Sequence, residues 1–323
     1  MTGAPLLLVH PGGHGVAVYA REMASAIGGL ADVRTVEPSG LAALPDGTAV
    51  HAHFTDRLWG VSPEEAAREF AALAARLRMS VTLHDVPQES DGERNRPRRR
   101  SAYALVAGAA VGVVVNSEHE QALLREEDVW SGPATAIPLP VEGDADAAQP
   151  RSDGSVGVLG YFYPGKGHDE AADAAAAAGI PKLTVLGRAS DGHAGELETF
   201  VRRAADRGVE VDVTGWLDDE EIARRGRAVA VPVIAHRHIS ASGSLASWIG
   251  WGRRPVAVRN RYIDEMARLR PGTLSVVDEP VLAPALRDAA DHPATTWHGL
   301  ARLPHSRTDA ADAYLRLWDG LGS

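Results

Sequence analysis

Apolar positions along this chain fall into two alternating patterns. Short apolar runs of strand length are separated by longer stretches whose apolar residues recur at helical spacing. Leu6–His10 reads as a strand, Pro11–Gly15 as a loop, and Val16–Ile27 as a helix with Val16, Tyr19, Met23 and Ile27 on one face. Strands follow at Val33–Val36, Ala49–His53, Ser80–Leu83, Val111–Val115 and Thr135–Pro138. Helices are predicted from Ser62–Pro63 through Arg78, over Tyr103–Gly108 and over Glu118–Glu126. Ser62 and Ser117 are placed as caps, and Pro63 occupies the first-turn position that proline tolerates. Pro87–Pro97 reads as a polar loop.

Glu142–Gly154 is polar, small and interrupted by proline, which marks a domain boundary. The alternation then restarts, with strands at Val156–Leu159, Leu183–Leu186, Val209–Thr214, Val229–Val233, Val256–Val258 and Leu274–Val277. A helix over Val281–Ala290 and an amphipathic tail, Asp309–Leu321, complete the chain. Strands alternating with helices imply parallel sheets covered on both faces. The reading is α/β: two Rossmann-like domains, residues 1–145 and 155–308, facing across a cleft, with 309–323 as a terminal helix. Ligands in such sheets bind beyond the carboxyl ends of the strands, where the loops at Gly12, His84, Gly160, Gly187 and His238 fall.

Composition narrows the class. With 323 residues, two domains are expected. Cysteine is absent, so neither disulfides nor thiolate metal sites are available. No apolar run approaches membrane-spanning length, and the N-terminus lacks a basic region before its first strand, so a cytoplasmic protein without a signal peptide is expected. A net charge of −10 argues against general nucleic-acid binding. The local exception is the arginine cluster Arg94–Arg100, which would suit an anionic acceptor or peripheral contact with an anionic membrane; the other reading is a solvated loop.

The candidate chemistry centres on Val156–Gly179. A strand ends at Gly160, a loop carries Lys166 between two glycines, and an alanine-rich helix follows. That layout points backbone N–H groups, a helix dipole and one cation at an anion. An ordinary turn with a solvent lysine has the same spacing. Ser242, Gly243, Ser244 and Leu245 open a second helix and would offer further N–H groups, although a simple capped helix start looks alike. Arg237 or His238 could supply a second cation. His84 closes a strand beside Asp85, and His14 sits in the first glycine loop. His51 and His53 alternate on one strand, but no third ligand stands at a recognisable spacing, and no metal site is expected. Trp248 and Trp251 read as core.

In their order and spacing these segments resemble a GT-B nucleotide-sugar glycosyltransferase, close to glycosyltransferase family four and retaining. HPGGHGVAVYAREMASAI resembles the family's first glycine loop, and TLHD its Thr-x-His-Asp strand end. GYFYPGKGHD resembles its strand–loop with lysine, TVLGRASDG its loop near the nucleobase, VTGWLDDEEI its Gly-aromatic-Leu turn, and SGSLASWIGWGRRPVAV its phosphate-holding loop and helix. The resemblance implies a hexosyl transfer from a UDP- or GDP-linked donor to an acceptor hydroxyl, without metal or other cofactor. It implies that His84 and Lys166 are catalytic, and that Gly12, Gly13, Lys166, Arg188, Ser242, Gly243, Ser244 and Leu245 bind the donor. It also puts His14 and His84 on the acceptor side, and packs the terminal helix back on the first domain. The chain departs from the family in two places. Tyr161–Phe162 stand where an arginine is usual, and no acidic residue lies between Ile239 and Asn260, where a glutamate pair is usual. Two other readings therefore stay open: a GT-B-like binding or scaffold protein without catalysis, and a nucleotide-sugar epimerase or phosphorylase on the same fold.

Overall fold

The computed structural model of the protein describes residues 4–143, 149–237, 239–300 and 302–322. The chain divides into two units: one takes the chain through Pro140 together with the segment from His305 onward, the other is Val141–Pro304.

The first unit contains β1 (Leu6–Leu8), α1 (Gly15–Gly28), β2 (Thr35–Val36), β3 (Ala49–Phe54), α2 (Asp56–Trp59), α3 (Pro63–Ala74), β4 (Arg78–Leu83), α4 (Gly92–Ala109), β5 (Gly112–Val115), α5 (Glu118–Glu126) and β6 (Thr135–Ala136). All strand pairs are parallel, in the order β2-β1-β3-β4-β5-β6. Caps start the helices where the sequence places them. Ser62 Oγ accepts the Glu65 N–H at 3.2 Å with Pro63 in the first turn, and Ser117 Oγ accepts the Glu120 N–H at 3.0 Å. Phe54, Phe70, Met79, Val81, Leu83 and Tyr103 form its main buried core.

Two expectations for this unit are corrected. The helix from Pro63 stops at Ala74, because Arg78 already pairs with Ala49 as the first residue of β4. The segment Pro87–Pro97 is not a loop throughout: α4 starts at Gly92 and carries Pro97 inside it. Proline there forgoes a helix hydrogen bond, but the arginines hold the turn from outside. Arg96 makes two 2.7 Å bonds to Glu127, Arg98 pairs bidentately with Glu64, and Arg99 reaches Asp56 and Asp91. Three of the five arginines are thus spent on internal carboxylates and the segment is helix rather than loop, while Arg94 and Arg100 stay exposed.

The second unit contains β7 (Val156–Leu159), α6 (His168–Ala177), β8 (Lys182–Leu186), α7 (Ala194–Asp206), β9 (Glu210–Val213), α8 (Asp219–Ala228), β10 (Val231–Ile234), α9 (Gly243–Gly250), β11 (Val256–Val258), α10 (Arg261–Leu269), β12 (Ser275–Val277) and α11 (Leu282–Asp291). Its parallel sheet runs β12-β11-β10-β7-β8-β9. The strand expected from Val229 begins at Val231, because the Val229 N–H still closes the last turn of α8 on Arg225 O. Trp248 is fully buried, as the apolar pattern predicts.

A final helix, α12 (Arg307–Leu321), belongs to the first unit. Ser306 and Asp309 form a reciprocal capping box at its start. Its Ala310, Ala311, Tyr314 and Trp318 cluster with Leu7, Met23, Ile27 and Val114, so the stripe covers α1 and the sheet.

One buried cation ties the second unit together. Arg253 follows α9 and is 1% exposed. Its guanidinium donates to the carbonyls of Gly226, Arg227, Val229, Ala230 and Thr296 and to Thr296 Oγ1, and it lies 4.4 Å from the Trp297 ring. The carbonyls of Gly226 and Arg227 are among those a helix end leaves unpaired, and a cation there also meets the negative end of the dipole. Burial lowers Arg253 to about 10, so it stays charged at neutral pH. Arg253→Met keeps much of the volume but strands several buried acceptors at about 1–3 kcal/mol each. We expect a loss of about 3 kcal/mol or more, read as a lower denaturation midpoint in urea.

Candidate active site

In the second unit the strand order reverses between β7 and β10: the chain runs from β7 outward to β9 on one side, then from β10 outward to β12 on the other. The loops that follow β7 and β10 therefore leave adjacent strands in opposite directions, the position where open α/β sheets bind ligands. The loop after β7 carries Lys166, and the loop after β10 leads to Ser242–Leu245.

Close backbone contacts stitch these two loops together. Gly167, at φ +92°, caps α6, and a Cβ there would stand 2.5 Å from the Ala235 carbonyl, so only glycine fits. The Arg237 N–H donates to Gly165 O at 3.1 Å. The Lys166 side chain folds over Gly160, where an added Cβ would lie 3.5 Å from Nζ, and Nζ donates to Ser244 Oγ at 3.2 Å. The N-termini of α6 and α9 thus share one ammonium group.

The second helix start is both capped and polar. Ser242 Oγ accepts the Leu245 N–H at 3.2 Å and lies 3.1 Å from Ser244 Oγ, while the Ser242 N–H is held by the Tyr262 hydroxyl at 3.0 Å. The expectation that Leu245 offers its N–H outward is corrected, since the cap takes it; its side chain is core. Gly243 and Ser244 remain as outward donors, and an added Cβ at Gly243 would meet nothing within 4 Å.

Burial lowers Lys166 to about 8. Two histidines the sequence reading passed over stand close to it. His168 is 2% exposed, stacked 4.8 Å from Phe162, and neither ring nitrogen has a hydrogen-bond partner. His236 is 6% exposed. Burial first, then the charge of Lys166, lowers His168 to about 3 and His236 well below the usual histidine range. Both are neutral, and Lys166 is the cation of this loop pair. Arg237 does not serve as a second one: it is exposed and ion-paired with Glu170. His238 lies outside the described residues. Arg188, after β8, is exposed; its guanidinium sits 5.1 Å from the Tyr161 ring and 3.2 Å from Asp191 Oδ1. Tyr161 thus occupies the place after Gly160 as an exposed ring carrying a cation, while Phe162 turns into the core.

The other residues singled out in the sequence belong to the first unit. Gly12 (φ +92°) and Gly13 are exposed with open space where a Cβ would point. The Arg21 guanidinium, in the second turn of α1, holds this loop through His10 O at 3.0 Å and Gly12 O at 2.8 Å. His14 caps α1, its Nδ1 accepting the Val16 N–H at 3.2 Å. His84 follows β4, with its N–H on Phe54 O at 2.8 Å and its carbonyl accepting from the Tyr103 hydroxyl at 2.7 Å. Its neighbour Asp85 takes φ +53°, rare for a residue with a side chain, and is braced by Thr55 and Arg99.

His84 Nε2 lies 3.1 Å from His53 Nδ1, and the Tyr19 ring meets both imidazoles edge-on at 5.5 and 5.2 Å. His51 has both nitrogens engaged, by Ser80 Oγ at 2.9 Å and Thr82 Oγ1 at 3.0 Å. Thr82 continues to the Tyr314 hydroxyl of α12 at 2.9 Å. Burial first, then neighbouring histidines, lower all three: His51 and His84 to about 3, and His53 well below the usual histidine range. The His-x-His pattern on β3 thus resolves into one satisfied core histidine and one partner of His84. Among the described residues no group of three or more His, Asp or Glu could hold a metal ion. No described helix is long and apolar enough to cross a membrane.

No protein-family model matches the chain, and no curated protein matches it in sequence. Solved structures do match. Sucrose-phosphate synthase from Thermosynechococcus elongatus is 17% identical, with 98% of this chain and 96% of that one covered and a TM-score of 0.67. HepE from Anabaena, in complex with UDP and glucose, is 15% identical, with 99% and 100% covered and a TM-score of 0.70. An α,α-trehalose-phosphate synthase (UDP-forming) from Burkholderia xenovorans is 15% identical over 93% and 77% of the two chains, with a TM-score of 0.63. These are nucleotide-sugar glycosyltransferases of the GT-B class, and the likeness shows that this chain has the GT-B fold.

The lysine supplies a pH test. A phosphate binds the ammonium form and raises its pKa, so binding takes up a proton once the pH exceeds the free value of about 8. The ligand's own last ionisation, near pH 6, is complete by then. UDP affinity is expected to hold between pH 7 and 8 and to fall above it, with proton uptake visible as a buffer-dependent heat in calorimetry. Lys166→Ala should weaken UDP by about 1.5–3 kcal/mol, the range for a hydrogen bond to a charged group, and remove that pH dependence.

Proposed function

We propose that this protein is a glycosyltransferase that moves a hexosyl group from a nucleoside-diphosphate donor to an acceptor hydroxyl, with retention and without a metal ion. The observation that carries the reading is the Lys166–Ser244 contact, which brings one ammonium and two helix N-termini to a single point at the strand-order reversal. The donor leaves as a nucleoside diphosphate, so negative charge grows on its phosphate as the sugar–oxygen bond breaks. Fixed donors aimed at that charge are commonly the largest catalytic contribution. Lys166 and the N–H groups of Gly243 and Ser244 are assigned to the diphosphate, with Ser242 holding Ser244 in place. Arg188 with Tyr161 is assigned to the outer part of the donor. Val141–Pro304 is read as the donor domain and the first unit as the acceptor side, with Gly12, Gly13, His14 and His84 as its assigned contacts. The GT-B fold of the UDP-bound HepE supports a UDP-linked donor.

Charge neutralisation by lysine and helix ends takes the part a divalent ion plays elsewhere. The one Asp-x-Asp of the sequence, Asp144 and Asp146, lies outside the described residues. Turnover of UDP-sugars is expected to persist in excess chelator; abolition by chelator and recovery with manganese or magnesium would overturn this part.

Gly243→Val tests the phosphate clamp. The side chain would enter space that no protein atom occupies, so the melting temperature should change little, apart from the modest cost of a β-branched residue in a first turn. UDP affinity should drop at least tenfold. Intact affinity would remove the α9 N-terminus from the site.

A further inference from the structure

His53 is the penultimate residue of β3, is 5% exposed, and makes one side-chain hydrogen bond, to His84. That bond is the notable one in the first unit. A neutral imidazole carries one N–H, so at this joint one ring donates and the other accepts. The protonated nitrogen of each ring is thereby linked to that of the other.

His84 is already fixed at its main chain by Phe54 O and the Tyr103 hydroxyl. Its remaining freedom is rotation of the ring. The Nε2 bond to His53 and the edge of Tyr19 stop that rotation. Nδ1 of His84 has no protein partner among the described residues. Tyr19 is itself placed by its hydroxyl, 3.4 Å from that of Tyr314. His51, two residues earlier on the same strand, has both ring nitrogens taken by Ser80 and Thr82, which is what a purely structural histidine looks like. His53 differs, because its hydrogen bond is given to the site histidine.

We infer that His53 is the positioning residue for His84: it holds the His84 ring in one orientation, with Nδ1 presented to the substrate. The inference rests on His84 being the site histidine of the proposed transferase. A third group that orients a catalytic imidazole is commonly a carboxylate, which also makes the ring more basic. A neutral histidine gives the orientation without that added basicity, which suits a group that hydrogen-bonds a sugar hydroxyl.

The experiment compares His53→Asn, whose amide can reach the place of Nδ1, with His53→Gln, which has the same polarity displaced by one methylene. In ¹⁵N imidazole spectra of the unliganded full chain, wild type and His53→Asn should show one sharp set of His84 ring signals, and His53→Gln broadened or doubled signals from a ring no longer held in one orientation. In transfer assays with a UDP-sugar, His53→Gln should lower kcat on the order of 10- to 100-fold, the scale of a misplaced group, with UDP affinity unchanged. His53→Asn should restore most of it. His84 ring signals and a kcat that are the same in both variants would overturn the inference. The spectra need no ligand, so they judge His53 even if wild-type protein fails to bind UDP, a failure that would count against the transferase reading instead.

Discussion

A single ammonium group held between two helix N-termini organises the second unit. Sheet topology makes this possible. Because strand order reverses between β7 and β10, two loops depart from neighbouring strands and have to pass each other at close range. The passage is tight enough that Gly167 cannot carry a side chain past Ala235. The Lys166 side chain lies against Gly160 at the strand end. The cost is desolvation of a lysine, seen in its lowered pKa. Its consequence is a cation whose charge is little screened and is available to an anion.

The first unit answers a different constraint. Its sheet buries three histidines side by side, a polar load that must be satisfied internally. Ser80 and Thr82 satisfy His51, the Tyr314 hydroxyl in turn bonds Thr82, and His53 and His84 share one bond. Tyr314 comes from the last helix, which the chain reaches only after the whole second unit has been made. The first unit is therefore discontinuous in sequence, and its buried polar network includes its final segment. Arg253 plays the corresponding part in the second unit, where one buried guanidinium closes the end of α8.

Electrostatics also explains why the arginine-rich stretch misled a reading by composition. Five arginines between Arg94 and Arg100, with a proline among them, look like a solvated loop. Glu127, Glu64 and Asp56 lie far from them in sequence but beside them in the fold, and together with the nearby Asp91 their ion pairs hold a helix through Pro97. Local propensity was overruled by partners that no local window contains.

The alternation of strands and helices, the restart after the polar linker, the caps at Ser62, Ser117 and Ser242, and the lysine loop after Gly160 were legible in the residues alone, because each depends on spacing within a few positions. So was the GT-B class, through the order of several weak motifs. The structure alone decided which groups meet. It closed Lys166 on Ser244, turned the Leu245 N–H inward, paired Arg237 with Glu170, and divided the His51/His53 pattern between a core role and a bond to His84. Those outcomes depend on which strands become neighbours and on which distant side chains compete for each buried donor, and hydrophobic periodicity carries no record of either.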